Sequence, residues 1–396
     1  MMKEYRKLNM NVAARAHVAY TPILLRGLPK AEKEENNGSS SSDESEEDSN
    51  DEDSELCKGS AVDKLKHKLF WKEKRSESYF RRMVPFLKTF DDDMINEESG
   101  MSLLMYAVMM NDTDAVELLV KQIHAIPNKS RRRRILNCRT SKKVQSGYLF
   151  IPDGYSVLHI AMGYASPCIV RLLLDNGANP NVVEGIGQDP FVSACGATGQ
   201  LANMKLWMER FPDHDIHKPN KVSGGFSLST TVFCMPNKLE NLEFLLKCGG
   251  NVDQKLHMGI SVLQAAISNS DSDVRVVKCI LEASKERSAI NYRIKPRNFK
   301  WKLIIRLANR LYRMGVRGNA FVEYFAPFEG ATALHIALKS GDLDVVEYLL
   351  KNGANPRIRD GIGRSAFDYL EIYGPYPAIT GLMDFASKTC GIDEKL

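Results

Sequence analysis

The residues of this 396-residue chain best suited to chemistry are its eight cysteines and eight histidines, and their spacing argues against a reaction centre. Cys57, Cys138, Cys168, Cys195, Cys234, Cys248, Cys279 and Cys390 never come within four residues of one another. Redox pairs and structural zinc sites need closely spaced thiols, and disulfide frames belong to short secreted chains. Several of these cysteines stand at apolar helical positions, as the reduced, buried thiols of an intracellular protein do, which points to the cytoplasm or the nucleus. His214 and His217 form a lone His-x-x-His with no cysteine nearby, whereas a metal site needs four converging ligands. The sequence also lacks a glycine-rich phosphate loop, Gly-x-Ser-x-Gly, His-Glu-x-x-His and Cys-x-x-Cys. The expectation is a non-enzymatic chain with no catalytic residue, no cofactor and no metal.

What the side chains do offer is electrostatics. The formal net charge of +5 hides a division: residues 31–56 hold twelve Asp and Glu against one Lys, so the remainder is strongly basic. Arg131, Arg132, Arg133 and Arg134 are consecutive, with Lys129, Arg139, Lys142 and Lys143 around them. Four successive arginines cannot all lie in a packed helix, so the sequence predicts an exposed loop there, suited to nuclear localisation or to a polyanion. Residues 285–317 carry eleven Lys and Arg, including Lys300, Lys302, Arg306, Arg310 and Arg313, against Glu286 alone. Within them Trp301, Ile304, Ile305, Ala308, Leu311 and Tyr312 recur at helical spacing, which predicts a basic amphipathic helix. Such a helix suits a calmodulin-type interaction, an anionic lipid surface or nucleic acid. Alternatively its apolar face completes the core of its neighbours. Its charged face then stays available to a polyanion or to the chain's own acidic tail, an autoinhibitory pairing.

The elements that must position these groups follow from composition and period. Residues 1–60 hold the acidic, Ser-rich tract, which has too little apolar surface to offset ordering entropy and is expected to be disordered. Ser40, Ser41, Ser45 and Ser49 each precede an acidic residue by three positions, a spacing that suits acidophilic kinases. Residues 61–97 read as a helical leader, and 387–396 as a C-terminal tail. No stretch approaches the roughly 18–20 apolar residues of a membrane span, and the start lacks the apolar region of a secretory signal, though its basic character also suits a mitochondrial presequence.

Between leader and tail a unit recurs. Gly100, Gly154, Gly187, Gly225, Gly259, Gly330 and Gly363 stand 54, 33, 38, 34, 71 and 33 residues apart, and the interval of 71 has room for a degenerate further unit. Two residues after each comes Ser102, Ser156, Asp189, Ser227, Ser261, Thr332 or Ser365, all good helix N-caps. A second apolar helix follows, ending in Gly177, Gly249 or Gly353 where a left-handed C-cap is needed. An extended hairpin tip then leads to the next unit.

The segments Gly330-Ala-Thr-Ala-Leu-His-Ile-Ala337, Asp344-Val-Val-Glu-Tyr-Leu-Leu350 and Asn352-Gly-Ala-Asn-Pro356 resemble the ankyrin repeat. The consensus histidine survives as His159 and His335, with Met105, Val192 and Gln264 in its place elsewhere. Ser229 stands where a core leucine belongs, and the third unit ends in Phe211-Pro-Asp213 rather than glycine. The resemblance implies an all-α ankyrin-repeat solenoid of helix–turn–helix units with β-hairpin tips. It spans residues 98–386 in about seven units, with basic insertions near 127–150 and 285–325. It also implies a monomeric scaffold or adaptor that binds a partner protein in a groove. Carried over by position, that groove comprises Tyr106, Met109, Met110, Tyr155, Tyr164, Gln188, Ser268, Asn269 and Lys339, with Glu184, Arg357 and Arg359 at the tips. Tyrosine, methionine and arginine are the side chains enriched in interface hot spots.

Overall fold

The computed structural model describes residues 101–393, apart from 142, 147–148, 198, 235–238, 269–272, 287 and 375. The acidic tract within 1–60 and the leader at 61–97 lie outside the described residues. In chain order the elements are α1 (Leu103–Met109) and α2 (Thr113–His124), then α3 (Lys129–Leu136) with strands β1 (Val144–Ser146) and β2 (Leu149–Ile151). Next come α4 (Val157–Tyr164) and α5 (Pro167–Asp175), α6 (Pro190–Cys195) and α7 (Leu201–Arg210), and α8 (Ser227–Cys234) and α9 (Leu239–Lys247). They are followed by α10 (Val262–Ile267) and α11 (Val274–Ala283), α12 (Phe299–Arg313) and α13 (Ala320–Phe325), α14 (Ala333–Ser340) and α15 (Leu343–Lys351), and α16 (Ala366–Tyr373) and α17 (Pro377–Asp393). The last helix continues past residue 387, through most of the stretch read as a tail.

Seven of these pairs form one stack. The first helices pack in the order α1, α4, α6, α8, α10, α14, α16, so the layer runs unbroken through residues 187–250. Leu104, Leu158, Phe191, Leu263 and Leu334 are buried along it, and Ala107, Ala161, Ala194, Ala266 and Ala337 let neighbouring helices approach closely. Burying each large apolar side chain contributes about 1.5–3 kcal/mol.

The residue three past each cap shows why the histidine position tolerates substitution. Nδ1 of His159 accepts the Ser156 N–H at 3.2 Å, which leaves Nε2–H to donate to the Gln188 carbonyl of the next unit at 3.2 Å. His335 repeats this with Thr332 and with the Arg364 carbonyl at 3.1 Å. Gln264 does both jobs with an amide: its Oε1 accepts the Ser261 N–H and its Nε2 donates across to the next unit. Any side chain with an acceptor near the cap closes the first turn, and one that also carries a donor ties two units together.

The fourth unit differs from its sequence reading by one residue. Helix α8 begins at Ser227 itself, so Ser227 is not the cap. Ser229 Oγ accepts the Phe226 N–H at 2.9 Å, which places Ser229 in the His159 role. Leu228 takes the core position assigned to Ser229, and it is buried. Gly224, not Gly225, is then the repeating glycine. It shares the positive φ of Gly154, Gly187, Gly259, Gly330 and Gly363, which Gly225 lacks.

The β-hairpin tips expected of the fold are not formed. Among the described residues the one ladder is β1–β2, which pairs Val144 with Ile151 inside the first insertion. The tips are hydrogen-bonded turns instead. Glu184 N–H donates to the Gln188 carbonyl and Gly187 N–H to the Glu184 carbonyl, both at 2.9 Å. The Glu184 carboxylate then accepts the Ile186 and Gln188 N–H groups, each at 2.8 Å, and Asp360 does the same for Ile362 and Arg364. Donors that a longer ladder would need are consumed by these carboxylates. The fold is an all-α solenoid whose units meet through turns.

Candidate partner-binding surface

The carried-over groove residues separate by burial. Tyr106 is only 1% exposed and Glu184 only 7%, so neither side chain is offered to a partner. Glu184 holds its tip turn, and its burial pushes the carboxyl above its ordinary range. Asn269 lies outside the described residues. Met109, Tyr155 and Gln188 are half-buried; Met110, Tyr164, Ser268, Lys339, Arg357 and Arg359 are exposed. Tyr155 stacks on His159 at 4.9 Å, and burial, then Glu184, raises its phenol well above the usual value.

Register explains which residues fall in a row. Met110 and Tyr164 each stand eight positions past their caps, on α1 and α4. Seven positions past the caps the row reads Met109, Gly163, Gly196, Phe233, Ser268 and Lys339. Glycine fills it in units two and three, where Gly163 is buried against Ser193 and Ala197 of the next unit and Gly196 is half-buried.

Arg131–Arg134 do not form a loop. They lie in α3, whose first turn is capped by Asn128 accepting the Ser130 and Arg131 N–H groups at 2.9 and 3.1 Å. The helix buries only Leu136, so four arginines can spread around it without entering a core. Arg132 donates to the Ile126 carbonyl at 2.9 Å, while Arg133 and Arg134 are exposed.

The second insertion forms the expected basic helix, but not as a repeat. Helix α10 packs directly on α14, so the interval of 71 holds no eighth unit in the stack. Gln264 Nε2 reaches both Tyr292 O at 2.9 Å and Ala331 O at 3.3 Å, joining the two ends of the excursion. Helix α12 then crosses the tips of several units. Trp301 Nε1 approaches Val222 O at 3.4 Å, Asn309 Nδ2 donates to Gly361 O at 3.0 Å, and Arg364 donates to the Tyr312 hydroxyl at 2.6 Å. From α13, Tyr324 lies 5.2 Å from the Lys339 ammonium on the first helix α14. Trp301, Ile305 and Ala308 are buried. The α12–α13 pair therefore lies over the tips and reaches the first-helix face of the later units at Lys339, which itself stays exposed.

His214 and His217 diverge. His214 faces Asp189 at 3.8 Å and packs edge-on to Trp207 and Phe191, whereas His217 lies beyond, near Gln254. No group of three or more His, Cys, Asp or Glu converges as a metal site among the described residues. The six cysteines from Cys138 to Cys279 are free thiols; Cys195 is buried, but Cys168 is exposed. The sequence reading missed one feature, a second apolar line on the outer side of α12 through Phe299, Leu303 and Leu307. Its spacing of four is legible in the sequence.

A stack of helix pairs with turn-linked tips defines a repeat scaffold, a class that works by surface rather than by reaction. The family model described as ankyrin repeats in three copies matches residues 80–217 and 231–360, more than half of the chain. The chain belongs to the ankyrin repeat family and is built as a protein–protein interaction module. It is similar to the ankyrin repeat and KH domain-containing protein mask-1 of Caenorhabditis elegans, with 21% identity over 227 residues, 57% of this chain. The match spans only 8% of that much longer relative. Among solved structures it is similar to the ankyrin repeat domain of Bcl-3, a member of the IkappaB protein family. That match has 18% identity and a TM-score of 0.44, and covers 72% of this chain and 99% of the other. No helix among the described residues is long and apolar enough to cross a membrane.

Proposed function

We propose that the partner protein binds the first-helix face of units one to three, where exposed Met110 and Tyr164 stand with half-buried Tyr155 beside Gly196. The observation that carries this reading is the asymmetry of the face. The chain's own α12–α13 pair lies over the tips from Val222 onward and reaches the first-helix face at Lys339, and no described element covers units one to three in the same way. Large amphipathic side chains on an uncovered helix face suit a partner that packs a side chain or a helix edge against them.

Partner capture from native extract tests it, comparing the full chain with Met110→Ala/Tyr164→Ala and with Arg357→Ala/Arg359→Ala. The first pair should abolish capture of the specific partner, and the second should leave most of it. Capture insensitive to the first pair refutes the assignment. A variant with Arg131–Arg134 changed to Ala shows separately whether α3 contributes.

A further inference from the structure

Helix α12 has two apolar lines, and only one is used by the fold. The inner line of Trp301, Ile305 and Ala308 is buried against tips and α13. On the opposite side Phe299 is 76% exposed, Leu303 59% and Leu307 51%, and Met314 just past the helix end is 71% exposed. Intervals of four, four and seven place these side chains along one stripe. Lys300 flanks the stripe on one side, Lys302, Arg306 and Arg313 flank it on the other, and Arg310 lies within it between Leu307 and Met314. All five are exposed, and none forms an ion pair with another described residue.

We infer that this outer face is a docking surface for an anionic phospholipid bilayer. Two features of the face must be matched at once: a row of large apolar side chains and the cations that surround and punctuate it. A nucleic acid satisfies the cations and leaves aliphatic leucines in water. The acidic tract of residues 31–56 has the right charge, but twelve acidic residues with one leucine bring almost nothing for the apolar row. An anionic membrane surface supplies both, with headgroups for the lysines and arginines and the acyl boundary for Phe299, Leu303, Leu307 and Met314. Interfacial helices combine these attractions, burying their apolar side about 5–10 Å deep. Here the helix is already fixed in position by its inner line, so no ordering entropy opposes docking, unlike a free peptide that must fold on the membrane. The surface belongs to the insertion, and its role does not depend on the partner-binding reading for units one to three.

The test uses the full chain in co-sedimentation with phosphatidylcholine vesicles and with the same vesicles containing phosphatidylserine. Retention is expected only on the second. Leu303→Ser/Leu307→Ser should lower the partition coefficient about tenfold or more, and Arg306→Gln/Arg310→Gln about tenfold or more. Circular dichroism should be unchanged for both, because all four side chains are exposed. Retention of the leucine variant equal to that of the parent reduces the face to a charge patch and overturns the membrane assignment. So does a full chain that ignores phosphatidylserine. If removing residues 31–60 is what allows retention, the acidic tract is the resident occupant, and the proposal fails in that form too.

Discussion

The early and late units of this solenoid are built on the same plan and present different faces. In units two and six a histidine closes the cap and reaches a carbonyl of the next unit, at 3.2 Å for His159 and 3.1 Å for His335. The tips after them are held by Glu184 and Asp360 through the same pair of N–H groups. Yet the first-helix face near His159 is bordered by Tyr155 and Tyr164, while the face near His335 lies under Tyr324 and the rest of the α12–α13 pair. The difference teaches that the repeat sets the scaffold and the insertion decides which part of it a partner meets.

The largest expected effect tests whether the insertion is an addition or part of the stack. Trp301→Ala removes the buried anchor of α12, with an expected cost of about 3–5 kcal/mol locally. Hydrogen exchange should then rise in residues 299–325 while α10 and α14 stay protected. Loss of protection in both helices would mean that the late units depend on their cover, and the contrast between the halves would collapse.

A pH titration comes next. Burial lowers the His159 imidazole to about 4, and burial also lowers His335. Both rings are neutral when folded and gain a proton on unfolding below about pH 6.5. Their stabilisation is therefore present above pH 6.5 and is lost as pH falls toward 4, by about 3 kcal/mol for His159. Denaturant melts across that window should show the slope. His159→Gln, which copies the role of Gln264, should flatten it.

Gln264→Ala is expected to cost about 1–3 kcal/mol, because it strands the Tyr292 carbonyl and the Ser261 cap N–H. The smallest effect is Met110→Ala, expected within about 0.5 kcal/mol of the parent in the same melts. A larger loss there would show that Met110 belongs to the core rather than to an open face.

Much of the fold was legible because periodic caps and core leucines are local signals. Ser102, Ser156, Ser261, Thr332 and Ser365 all begin helices as their spacing implied. The fourth unit was misplaced by one residue because Gly224 and Gly225 are adjacent and only backbone conformation distinguishes them. Arg131–Arg134 were read as a loop because an all-arginine turn was assumed to need a core, whereas α3 is anchored at its end by Leu136. Tyr106 and Glu184 were placed on the surface by position alone. Whether a tyrosine four residues past a cap faces in or out depends on the neighbouring helix, and sequence spacing does not carry that. The course of α12 across the tips rests on contacts such as Asn309 to Gly361, 52 residues apart, which no local pattern encodes.

The bond from Gln264 to both sides of the excursion has a consequence for how this chain tolerates change. Ile294 N–H donates to the Ala331 carbonyl at 3.0 Å and Gly330 N–H to the Ile294 carbonyl at 2.9 Å, so entry and exit are clasped side by side. A loop whose ends are already joined loses only about 0.6 kcal/mol for each doubling of its length. The junction at 294–331 is thus a port: sequence can be lengthened, shortened or exchanged there while the helices on either side keep their register.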